Sequence, residues 1–147
     1  MKKMIAILSI VSISSTSFAT TCISGNLQED IQKIQSLNLS QASKAMLIGE
    51  SKSAKVSEIV ACSATRELIT REDSAFATMQ LNLERALDIK KIDQEAQYLA
   101  SLLSDSSLNE GLRQVYQQML KETPQRIKEK NIFVDTVISN IKQRTQN

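Results

Sequence analysis

Glu84 and Asp88 stand four positions apart, and Glu67 precedes the pair Glu72-Asp73 by less than two helical turns. An i,i+4 spacing puts both carboxylates on one face of a helix. Two such groups can divide the acid and nucleophile or base roles of glycoside hydrolysis, as in a cell-wall hydrolase. The rest of the chain supports that chemistry poorly. Sugar subsites are usually walled by aromatic rings, and beyond residue 20 there are only Phe76, Tyr98, Tyr116 and Phe133, with no tryptophan in the chain. These carboxylates are therefore read as solvated helix residues.

Other catalytic and ligand-holding arrangements lack their parts. The chain contains no histidine, which removes Ser-His-Asp and Cys-His nucleophilic sites and the commonest zinc and copper ligand. Three glycines in 147 residues leave no Gly-rich phosphate loop, and no D-x-[DN]-x-[DN]-G run is present to hold calcium. The expectation is a non-enzyme with no catalytic residue, no cofactor and no metal ligand.

The two cysteines carry the one covalent chemistry on offer. Cys22 and Cys62 are too far apart in sequence for a C-x-x-C redox motif. In an oxidising compartment a lone pair is expected to form a disulfide. The closed loop of about 40 residues would destabilise the unfolded chain by about 4 kcal/mol.

The compartment follows from the first 19 residues. Lys2 and Lys3 form a basic start, Met4 to Ile13 an apolar run of about ten, and Ser17 and Ala19 occupy the −3 and −1 places of a small-x-small cleavage site. Residues 1–19 are read as a cleavable signal peptide of bacterial type and 20–147 as a single helical domain. Two alternatives rank lower. An uncleaved anchor would need roughly 20 apolar residues. A lipid anchor on Cys22 would want a large aliphatic residue and a very small one where Ala19 and Thr21 stand. The expected location is the periplasm or outside the cell, with no membrane span after cleavage.

The net charge of +2 comes from the two leader lysines, leaving 16 basic against 16 acidic side chains. A neutral domain gives no support to nucleic-acid binding. Six basic residues (Lys121, Arg126, Lys128, Lys130, Lys142 and Arg144) stand against three acidic ones from Lys121 onward. This is read as a solvated helix face rather than a site for an anionic partner.

The elements that would position these groups are helical throughout, with few glycines, one proline and no strand-type alternation. A first helix spans about 26–37, with Leu27, Ile31, Ile34 and Leu37 in one stripe. Ser40 caps a second, short helix that Gly49 ends, and this use of Ser40 is preferred to a glycosylation sequon at Asn38. A third helix restarts at Ser51 or Ser53 and carries Val56, Ile59, Val60 and Ser63 on one face with Cys62 beside that stripe, continuing or breaking across 65–70. Thr70 caps a fourth at about 71–90; a fifth from Ile92 to Leu103 would, if continuous with it, form a rod of about 33 residues and 50 Å. Ser107-x-x-Glu110 fits a capping box, and Thr123-Pro124 a cap with proline at the first helical position. The tail from Gln143 is expected to fray. The sum is an all-α, antiparallel bundle of about five to seven amphipathic helices with one disulfide. Phe76, Met79, Tyr116 and Met119 are assigned to the core in preference to a partner groove.

By elimination, the expected function is protein–protein binding by an exported bacterial envelope protein, as an inhibitor, immunity-type or chaperone/adaptor module. The partner would be another envelope or secreted protein. A structural or accessory subunit of a secretion or conjugation apparatus is second, and a carboxylate-based cell-wall hydrolase third.

Overall fold

In the computed structural model, residues 22, 23 and 25–145 are described, and the leader with its cleavage site lies outside them. Four helices follow in order: α1 (Leu27–Ser36), α2 (Gln41–Ala64), α3 (Arg71–Leu103) and α4 (Glu110–Gln143). Among the described residues the all-helical class stands, and the count is four, not five to seven. The excess came from three boundaries that the helices run through, at Gly49, at Lys90-Lys91 and at Thr123-Pro124; a further cap, at Ser107, is displaced.

Gly49 sits inside α2, with open space around its α-carbon. An interior glycine costs about 1 kcal/mol relative to alanine, too little to end a helix whose half-buried Leu47, Ile48 and Ser51 continue through it. Pro124 sits inside α4 rather than opening a new helix. The Thr123 hydroxyl donates back to the Met119 carbonyl at 3.2 Å instead of capping. The Ser107 capping box is not formed either. Asp105 Oδ1 accepts both the Ser107 amide (2.8 Å) and its hydroxyl (2.7 Å). Asn109 is the N-cap of α4, accepting from the Gly111 amide at 2.8 Å.

Elsewhere the local signals hold. Asn26 caps α1 through the Gln28 amide, Ser40 caps α2 through the Ser43 amide at 3.1 Å, and Thr70 caps α3 through the Asp73 amide at 3.1 Å. Glu72 and Asp73 fill the first turn of α3, where the helix dipole favours negative charge. The α3 rod is continuous over 33 residues, about 50 Å long.

The Cys22–Cys62 disulfide is present, with Cα atoms 5.8 Å apart across a sequence separation of 40. It fastens the segment before α1 onto α2 and places Ile23 in the core. That sulfur linkage is not compatible with a lipid on the same Cys22 sulfur.

The core gathers at one end of the molecule. Val56, Ile59 and Cys62 come from α2, Ala77 and Leu81 from α3, and Val134, Ile138 and Ile141 from α4, with Ile23 and Ile69 from connecting segments. Ile59, Ile69, Cys62 and Ile141 are fully enclosed. The segment 65–70 breaks the helices so that Ile69 can enter this core; its amide donates to the Arg144 carbonyl at 2.9 Å. The Thr145 hydroxyl sits 2.8 Å from that of buried Ser74. The expected fraying is thus corrected for Arg144 and Thr145, which are held by α3 and the loop before it. Lys55 adds a polar clasp, its ammonium 3.3 Å from the Gly25 carbonyl and 3.6 Å from Asp73. Beyond this end α3 and α4 continue as a two-helix hairpin, while among the described helices α1 packs on α2 alone.

Candidate functional site

Three ion pairs fix how α3 and α4 lie side by side. Arg85 meets Asp135 at 2.6 Å, Asp88 meets Lys130 at 2.5 Å and Glu95 meets Arg126 at 2.9 Å. As α3 advances, its partners recede along α4, which is the antiparallel register. Asp135 and Lys130 are five residues apart, about 140° around the helix. The ladder therefore pins both edges of the seam.

The edge carrying Asp88 and Glu95 opens into a groove of about 530 Å³. Its apolar lining is Ile92 and Phe133, and its charged lining is Asp88, Lys91, Glu95, Arg126, Glu129 and Lys130. Phe133 is 62% exposed. A phenyl ring left in water on a folded helix, rimmed by both signs of charge, has the make-up of a protein contact: an apolar anchor within a polar rim.

Electrostatics of the groove disfavour acid catalysis at its best-placed carboxyl. The hydrogen bond from Lys130 is the largest effect on Asp88 and holds its pKa below the ordinary 3.8, with the charges of Lys130 and Lys91 adding to it. A glycosidase acid needs the opposite shift.

The carboxylates singled out by spacing are not assembled into one site. Asp73 receives the Thr70 hydroxyl at 2.9 Å and the Lys55 ammonium at 3.6 Å. Glu67 accepts the Thr65 hydroxyl at 3.3 Å, and Glu72 is exposed on α3. Asp88 lines the groove with Glu95 and Glu129; Glu84 is not among its walls. Among the described residues no cluster of His, Cys, Asp or Glu is arranged to hold a metal ion.

No known family model, curated protein or solved structure matches the chain. The site must therefore be read from its own geometry.

The aromatic and methionine residues also separate. Phe76 packs against the edge of the core, whereas Met79 is 58% exposed. The ion-pair register sets Tyr116 and Met119 beside the far end of α3, more than 20 residues from Met79, or roughly 35 Å along the helix. They form neither one groove nor one core, and the assignment of Met79 to the core is corrected. Sequence reasoning missed Ile92, Phe133 and their charged rim because the groove exists only once α3 and α4 are in register. The alternation of sign between 85–95 and 126–135 was the available signal. Two of the six basic residues from Lys121 onward, Arg126 and Lys130, are engaged in these pairs.

Proposed function

We propose that the chain is an exported, non-catalytic binding protein of a bacterial envelope. It acts on another envelope or secreted protein as an inhibitor, an immunity-type factor, or a chaperone or adaptor. The observation that carries this reading is Phe133, exposed to water in a groove it lines with Ile92 and with side chains of both charges. A rim of both signs selects a partner by complementary charge, and the ring supplies the apolar anchor. The disulfide is compatible with export, and no described helix is long and apolar enough to cross a membrane.

The test is affinity capture from envelope extract with the oxidised protein, beside its Phe133→Asp and Lys91→Glu variants. The reading expects one protein retained by the parent and lost from both variants. Retention of nothing, or of the same proteins by all three, overturns it. The 50 Å reach of the α3–α4 hairpin favours a second reading, a subunit of a secretion or conjugation apparatus. That reading expects co-sedimentation with a large membrane complex, and a freely soluble protein sinks it. A wall hydrolase ranks third, behind both, because Asp88 is held ionised by Lys130.

A further inference from the structure

We propose that a second copy of this chain docks antiparallel on the outer face of α3, with the two-fold axis at Leu83. This surface is distinct from the groove at Phe133. Met79, Leu83 and Leu87 stand four residues apart, so they form one stripe, and they are 58%, 53% and 50% exposed. At 100° per residue Leu83, the middle of the stripe, lies more than 100° around α3 from each of its buried positions, Ser74, Ala77, Leu81 and Leu99. α1 does not reach it, since among the described helices α1 packs on α2 alone.

Charge chooses the occupant and its direction. Glu72 and Lys90 are 18 residues apart, five full turns, so they project from the same side of α3 as the stripe and bracket it. Both are exposed, and neither is in an ion pair among the described residues. A two-fold at Leu83 sets Leu83 on its own counterpart, Met79 on the other copy's Leu87, and Lys90 over the other copy's Phe76. Glu72 of that copy is then one turn away, within reach of the Lys90 ammonium. The face is self-complementary, as a two-fold interface requires. A parallel arrangement would set like charges together at both ends.

The three apolar side chains of two copies offer on the order of 600 Å² at about 100 Å² each. A specific interface needs about 1,000 Å², so the polar rim must supply the remainder. The pair is therefore a reversible dimer with a dissociation constant on the order of 10–100 μM.

Sedimentation equilibrium of the oxidised chain up to about 500 μM tests this, since that range brackets the expected constant. The expected result is a concentration-dependent dimer. Leu83→Glu leaves the circular dichroism spectrum unchanged and gives monomer. Glu72→Lys and Lys90→Glu each weaken self-association by at least about tenfold, because both ends become like-charged. An equimolar mixture of these two variants restores the dimer, because the mixed pair again sets opposite charges together at both ends. A parent chain that stays monomeric throughout overturns the proposal, as does a dimer indifferent to Leu83→Glu or a mixture that fails to re-associate. Phe133→Asp leaves the dimer intact, so failure here is distinguishable from failure of the groove reading.

Discussion

Arg66 adopts φ of 66° at the turn that ends α2. The Glu67 amide returns to the Cys62 carbonyl at 3.2 Å, closing the helix end in the manner usually reserved for glycine. An exposed side chain in the left-handed region costs roughly 1 kcal/mol that glycine avoids. Arg66→Gly is therefore expected to raise stability by about 1 kcal/mol, less any entropy the more flexible unfolded chain recovers. Urea unfolding checks it, with a higher midpoint and an unchanged slope. Asp88 makes a second prediction at this scale. Its folded pKa lies below 3.8, so the unfolded state binds protons more readily as pH falls. The Asp88–Lys130 contribution is then fully present above the unfolded value and is lost as pH drops through the lowered folded one. Asp88→Asn should flatten the stability curve below about pH 4, a small effect for a pair this exposed. An acid titration of parent and variant, followed by circular dichroism, reads the difference.

Helix α4 carries a proline at its fourth turn, and a helix that tolerates one must be held by its neighbours. Pro124 has no N–H to offer the Leu120 carbonyl, and its ring crowds that turn. Packing against α3 keeps the two halves in one helix, pinned after the proline by Arg126–Glu95 and Lys130–Asp88 and before it by Arg113, which donates to the Leu103 carbonyl at 2.9 Å. Pro124→Ala is expected to stabilise the chain by about 1–3 kcal/mol, measured as a rise in the urea midpoint. The elements also show what was legible beforehand. The hydroxyl caps at Ser40 and Thr70 and the Cys22–Cys62 pair were readable because the signals are local or chemically unique, whereas the sequence left open whether α3 runs unbroken past Lys90-Lys91. Gly49 and Pro124 misled because propensity terms of a few kcal/mol yield to tertiary packing. Ser107 misled because Asp105, two residues earlier, competes for the same hydroxyl and amide. The candidate site was legible only as unconnected residues. Asp88 and Lys130 are 42 positions apart, and the alternation of charge around each does not by itself say which residues meet.

At the scale of the whole molecule the packed core occupies one end, and the disulfide reinforces it directly. Cys62 is fully buried beside Ile59, and the bond draws Ile23 into contact with the same cluster. Cys22→Ser is expected to lower stability by about 3–4 kcal/mol in the chain-entropy account. Thermal unfolding with and without reductant should show the parent falling to the variant's level, after thiol counting in denaturant finds none free in the oxidised parent. The far half of the α3–α4 hairpin depends less on this core, with Leu99 its only buried apolar residue among those described. Amide exchange should therefore be faster there than around Ile59 and Ile138.

The strap formed by Ile69 and Arg144 has a bearing on the order of assembly. Ile23 and Ile141 belong to one cluster, so contacts spanning almost the whole described chain must close before that cluster exists. Such non-local contacts are slow to form. α1 and α2 can pair early, but the main core has no counterpart until Val134, Ile138 and Ile141 have been synthesised and released. A nascent chain of this design remains open, and able to be threaded through a narrow channel, until α4 is complete.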